Sequence, residues 1–147
     1  MMTLPTLFIG RWQPVHRGHI ALWKKGAFDL GVSAVIYIRD IEPNEQNPFT
    51  SLQTKALIKQ ALIDLGESGE IDYVLAAQSG HDIIIGPDLG AVRYGRGVGY
   101  LVEEIDLPDD IKRISATEIR KQIKAGDEGW REFVTPGVAV ELEEMTW

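Results

Sequence analysis

Arg11, His16 and His19 are brought together in one short stretch, Gly10-Arg-Trp-Gln-Pro-Val-His16-Arg-Gly-His19. Two imidazoles three residues apart at the start of a helix can both face one bound anion, and a helix N-terminus attracts anions through its N–H groups and dipole. Gly18, between them, lets a large ligand approach the backbone. Phosphate is the anion this arrangement suits, and Arg11 adds a cation that can pair with it. A second group of polar side chains lies far downstream, in Ile114-Ser115-Ala-Thr117-Glu-Ile-Arg120. Ser115 and Thr117 stand at the entry to a helix, where hydroxyls cap free N–H groups. Arg120 shares a helix face with Thr117 and offers a planar fork to phosphate.

Around these stretches the chain alternates strands and helices. Leu4 to Ile9 reads as a buried strand, interrupted only by Thr6 and ended by Gly10. Pro14 forbids helix just before it. From Arg17 the apolar spacing turns helical and closes at Gly31. Val32 to Ile38 predicts a second buried strand, and Ile41 to Pro48 a polar loop. Thr50 or Ser51 caps a helix running to about Leu65 and ending at Gly66. Residues 71–79 fit either a short helix closed by Gly80, which we favour, or a strand at Tyr73-Val-Leu. Asp82–Ile85 predicts a third strand, Ala91–Tyr94 a fourth and Leu101–Leu107 a fifth. Pro108-Asp-Asp is expected as a loop, and Thr117–Ala125 as a helix ending at Gly126. Such alternation implies a parallel sheet flanked by helices, with ligands at the carboxyl ends of the strands.

Both stretches carry a resemblance. The first is similar to the Gly-Arg-Phe-x-Pro-x-His-x-Gly-His signature of the nucleotidyltransferase superfamily, closest to its archaeal-type nicotinamide mononucleotide adenylyltransferases. The second resembles that superfamily's Ile-Ser-x-Thr-x-Ile-Arg signature, and Asn47-Pro-Phe-Thr50 resembles the element preceding the second helix. The resemblance implies one Rossmann-like α/β domain over 1–147, with a five-stranded, mainly parallel sheet. It implies transfer of AMP from ATP, with magnesium, to a phosphate-bearing acceptor, with pyrophosphate leaving. His16, His19 and Arg120 would then be catalytic. Phe8, Ile9, Gly10 and Arg11 would contact the nucleotide, as would Gly18, Ser115 and Thr117.

On the acceptor side the same resemblance suggests Trp12 as an apolar wall, with Asp40, Asp88, Arg93 and Arg96. Asp88 in Gly86-Pro-Asp88 serves either a ribose hydroxyl or a turn. Arg96 serves either a phosphate or the surface. Gly90-Ala-Val-Arg-Tyr-Gly-Arg96 lacks the Trp that users of nicotinamide mononucleotide carry after the Pro-Asp turn. That mononucleotide is the first choice of acceptor. A pantetheine-phosphate-type adenylyltransferase, a cytidylyltransferase and a non-catalytic nucleotide-binding module are the alternatives. His81 reads as an ordinary loop residue, and Glu141–Glu144 as a solvated face.

Bulk properties agree with a small enzyme. The 147 residues suit a single core, and the 44% hydrophobic and 25% charged content is that of a globular chain. A net charge of −7 argues against nucleic acid as a partner. No apolar run is long enough to span a bilayer. Met1-Met-Thr-Leu-Pro lacks the basic start of a secretory signal, and the chain has no cysteine, so a cytoplasmic setting is expected. No dedicated metal-ligating set is legible, and self-association into a homo-oligomer is expected.

Overall fold

The computed structural model describes residues 4–147. Three strands, β1 (Thr6–Ile9), β2 (Ala34–Asp40) and β3 (Ile83–Pro87), form one parallel sheet in the order β1-β2-β3. Phe8 lies opposite Ile36, and Ile36 opposite Ile83. Six helices accompany them among the described residues: α1 (Arg17–Gly26), α2 (Ser51–Ser68), α3 (Tyr73–His81), α4 (Asp109–Lys112), α5 (Ala116–Ala125) and α6 (Pro136–Glu144). Short 3-10 turns lie at Phe28–Leu30 and Gly129–Phe133.

In β2 the alternate residues Ala34, Ile36 and Ile38 are buried, the period-2 pattern of a strand with one well-covered face. They meet Leu57, Ile58, Ala61, Leu62 and Leu65 of α2 in a core that extends to Trp12, Trp23, Ile119 and Trp130. Thr50 caps α2 in a reciprocal box with Gln53: each residue's side chain accepts from the other's backbone N–H. Asp72 caps α3 by accepting from Val74 and Leu75. α6 docks on α2, where Asp64 accepts from the Gly137 N–H at 2.8 Å.

Several expectations are corrected. The sheet has three strands among the described residues, not five: 91–94 and 101–107 form neither helix nor strand. Gly90 and Gly95 flank the first of these, Gly97 and Gly99 separate it from the second, and Val92, Tyr94, Leu101 and Val102 are exposed. Only Ile105 in this region packs onto the core. β1 is not buried throughout. It is an edge strand covered on one face, so Phe8 is enclosed while Leu4, Leu7 and Ile9 are exposed. Helix α1 stops at Gly26, and a 3-10 turn carries the chain on to Gly31, which adopts φ 78°. α2 runs past Gly66 and ends at Gly69, also left-handed. Residues 73–81 are a helix, the favoured alternative, but Gly80 lies inside it. Pro108-Asp-Asp opens the short helix α4 instead of a loop.

Candidate functional site

The loop after β1 is shaped by its own side chains. Trp12 has φ 54°, a left-handed conformation that costs a non-glycine residue about 1–3 kcal/mol. What holds it is the indole, fully enclosed, with Nε1 donating to the Tyr37 carbonyl of β2 at 2.8 Å. A Cβ at Gly10 would come within 2.9 Å of that ring. A Cβ at Gly18 would come within 2.8 Å of the His16 ring. The Cβ direction at each glycine is thus filled by the motif's own Trp12 and His16.

Two histidines cap α1. The Gly18 N–H donates to His16 Nδ1 at 3.0 Å, and the His16 N–H donates to His19 Nδ1 at 3.1 Å. This is a reciprocal cap of the kind usually built from a hydroxyl and a carboxylate. Its chemical consequence follows from the tautomers: an imidazole that accepts at Nδ1 carries its proton on Nε2. Each ring therefore presents an Nε2–H donor. The rings stack with centroids 3.8 Å apart, and Trp12 meets His19 edge-on at 4.8 Å. Burial pushes the His16 pKa down to about 4. Burial, and then the neighbouring His16, push His19 well below the ordinary value. The pair is neutral at pH 7, a pair of hydrogen-bond donors and not of cations.

The second motif reaches the first through Arg120. Its Nη1 donates to the Gln13 carbonyl at 2.6 Å, and its Nη2 faces Thr117 Oγ1 at 3.4 Å. Burial lowers its pKa from the ordinary arginine value, which still leaves a cation at neutral pH. Ser115 caps α5 by accepting from the Glu118 N–H at 3.3 Å. Ile119 anchors the helix in the core, leaving Ser115 and Thr117 exposed at its start.

Of the remaining sequence-derived positions, Asp40 and Asp88 lie near each other at the carboxyl ends of β2 and β3, while the others are spread more widely. Phe8 is buried, its ring lying against Gly26, while Ile9 is exposed at the end of β1. Arg11 is exposed beside the motif loop. Asp40 accepts from the Ser51 hydroxyl at 3.1 Å. Asp88 pairs with Arg39 at 3.2 Å across the ends of β2 and β3, and also accepts from the Leu89 N–H. Arg93 and Arg96 are exposed on the irregular segment and form no ion pair among the described residues. His81 ends α3, in a different part of the molecule from the motif loop. Glu143, in the stretch expected as a solvated face, pairs with Arg131. Burial and the nearby acids Asp64 and Glu144 raise the Glu141 pKa.

Sequence reasoning passed over Gln13, Tyr37 and Phe49 as individual residues. Gln13 was legible only as a letter of the motif. Phe49, 1% exposed, lies under the Trp147 ring, whose centroid is 4.8 Å away. Lys124 sits over that indole at 4.2 Å and donates to the Trp147 carbonyl. No pattern in the sequence announces those pairings.

No protein-family model matches the chain, and no solved structure matches it. Curated relatives do. A nicotinamide-nucleotide adenylyltransferase of Thermococcus onnurineus is 30% identical, over 95% of this chain and 82% of its own length. One from Methanolobus tindarius is 28% identical, over 94% and 87%. An uncharacterized protein of Aeropyrum pernix is 27% identical, over 95% and 91%.

Proposed function

The chain belongs to the nicotinamide-nucleotide adenylyltransferase family, and from that premise we propose that it transfers AMP from ATP to nicotinamide mononucleotide. A phosphate oxygen of the mononucleotide bonds to the α-phosphorus of ATP. The bond from that phosphorus to the oxygen bridging to the β-phosphate breaks, and pyrophosphate leaves with its electron pair. No covalent intermediate on the protein is needed. Catalysis then consists of holding two phosphates in line and stabilising charge as it shifts to the leaving group.

The observation that carries this reading is the convergence of two motifs, joined by the hydrogen bond from Arg120 to Gln13, beside two Nε2–H donors at the start of α1. His16 and His19 donate to triphosphate oxygens, at no charge repulsion between the stacked rings because both are neutral. Arg120 neutralises the β and γ phosphates. Ser115 and Thr117 add the N-terminus of α5. Gly10, Arg11 and the backbone of Phe8 and Ile9 border the nucleotide. Trp12, fully enclosed and edge-on to His19, backs that ring and leaves no exposed face for the apolar acceptor wall that the resemblance suggested. Asp40, Asp88, Arg93 and Arg96 form the acceptor side, with Arg39 holding Asp88 at the strand ends.

Among the described residues no three carboxylate or imidazole side chains converge on a point that would hold a metal ion. Magnesium would enter with the triphosphate, bound by phosphate oxygens and water. Likewise, none of the described helices is long and apolar enough to cross a membrane. The exposed Val92, Tyr94, Tyr100 and Leu101 support self-association, which gel filtration reads.

The test is incubation of the purified protein with magnesium–ATP and nicotinamide mononucleotide, following pyrophosphate and the dinucleotide product. Formation of both, with CTP a poor substitute for ATP, is expected. Failure to form the dinucleotide with any nucleoside triphosphate would overturn the reading.

A further inference from the structure

Gln13 touches two segments that the chain places far from it, the start of α2 and helix α5. Its side chain is 6% exposed and its amide is paired on both sides: Oε1 accepts from the Phe49 N–H at 3.0 Å, and Nε2 donates to the Phe49 carbonyl at 3.2 Å. The amide thus imitates one rung of a β-ladder against the segment just before α2. Nε2 also faces Thr54 Oγ1, on the first turns of α2, at 3.4 Å. The residue's own carbonyl accepts from Arg120 of α5. Its neighbour Trp12 is held in a left-handed conformation, so the path of the chain at Gln13 is closely fixed. The ring of Phe49 also packs against Trp147, with centroids 4.8 Å apart.

We infer that Gln13 is a positioning residue of the transfer reaction: its amide locks the segment before α2 to the histidine loop, and its carbonyl sets where Arg120 stands relative to His16 and His19. This inference rests on the adenylyl-transfer reading. The physical reason is that two substrates must meet in line, and a displacement of about 1 Å in such a site can cost about 10²-fold in rate. Phe49 and Thr54 belong to the element after β2, whereas His16, His19 and Arg120 belong to the triphosphate side. Gln13 is the residue that contacts both. Its own side chain is fully engaged with protein partners, so it acts through them and not on a substrate.

Two variants separate positioning from mere support of the fold. Gln13→Met keeps the length and removes every amide hydrogen bond. Gln13→Glu keeps the shape, but the ionised carboxylate has no proton to give the Phe49 carbonyl, whereas the protonated acid does. kcat and KM for ATP and for nicotinamide mononucleotide are measured at a temperature where each variant is folded by circular dichroism, and Gln13→Glu is followed from pH 8 to pH 5. The expected result for Gln13→Met is a kcat reduced about 10-fold or more, with KM for ATP changed less than kcat. For Gln13→Glu, activity relative to wild type at the same pH rises as the pH falls.

A role in stability alone would lower the melting temperature and leave kcat of the folded protein unchanged. If Gln13→Met kept kcat and both KM values within twofold of wild type, the inference would be wrong. Should Gln13→Met not fold, Gln13→Glu decides alone: a constant ratio to wild type from pH 8 to pH 5 overturns the inference. Lack of turnover in the wild-type protein overturns the adenylyl-transfer reading and this inference with it, whereas wild-type turnover with unaffected variants overturns only the inference.

Discussion

His16 and His19 commit Nδ1 to the backbone and so leave Nε2–H as the donor that each ring presents. Replacing His19 by alanine removes a donor to the phosphates, for which a kcat loss of about 10²–10³-fold is expected. It also opens the cap of α1, so the melting temperature falls by an amount corresponding to about 1 kcal/mol. His81→Ala, at the end of α3, changes neither by much; kcat and melting curves of the two variants measured together check the contrast. The titration has a definite direction. The His16 pKa lies at about 4 in the folded chain, against an ordinary value of 6.5. Between those values the unfolded chain binds the proton and the folded chain does not. Stability is therefore full above pH 6.5 and declines as the pH falls toward 4, by about 3 kcal/mol from His16. Melting temperatures across that range should fall in wild type and fall less in His16→Asn, which retains a capping oxygen. Arg120 makes a third case. Lysine cannot span the Gln13 carbonyl and a phosphate with one planar group, so Arg120→Lys should lower kcat/KM for ATP at least about tenfold, and wild-type pyrophosphate release in that variant would refute the contact.

Helix α5 shows how an element delivers a side chain. Ser115 caps its start, Gly126 in the left-handed region ends it, and Ile119 fixes its roll by entering the core. With the roll fixed, Arg120, the next residue along, emerges beside Gln13. Loss of the cap in Ser115→Ala should destabilise the protein by about 1 kcal/mol in denaturant titration. It should also raise KM for ATP, because the same hydroxyl lies at the helix end that is read as meeting phosphate. Unchanged stability would mean that water replaces the cap at this exposed end. α1 differs in kind, because its capping groups are the side chains proposed to meet the phosphates. There stability and function cannot be separated by one substitution.

At the scale of the molecule, the chain divides into a packed body and an irregular stretch from 88 to 107. The body joins the three strands to α2, α3 and α6 through one core. The stretch carries exposed apolar side chains and the two arginines, and is moored near its end. There Ile105 lies against Gly26, Lys25 donates to the Asp106 carbonyl at 2.6 Å, and Lys112 pairs with the Asp106 carboxylate, lowering its pKa. Few buried contacts hold it elsewhere, which is the condition for local opening. Limited trypsin digestion under native conditions should therefore cut first after Arg93 or Arg96. Mass spectrometry of the fragments reads this, and first cleavage at Lys55 or Lys59 within α2 would contradict it.

The strand–loop–helix around Gly10 to His19, the α5 motif and the parallel α/β class were legible because local signals carry them. Glycine and proline punctuate the loop, apolar spacing marks the helices, and the proposed site residues lie within short motifs. The three-stranded sheet was not legible, since Ala91–Tyr94 and Leu101–Leu107 have strand composition but no partner strand, and pairing is not a property of a single segment. Nor was the histidine tautomer, which depends on backbone N–H groups that only the turn at Pro14–Gly18 aims at Nδ1. Gln13 and Arg120 stand 107 residues apart. Their types declared a possible hydrogen bond, but their meeting was decided by tertiary packing: Ile119 seats α5 in the core, and the buried indole of Trp12 holds the loop where the Gln13 carbonyl faces the guanidinium.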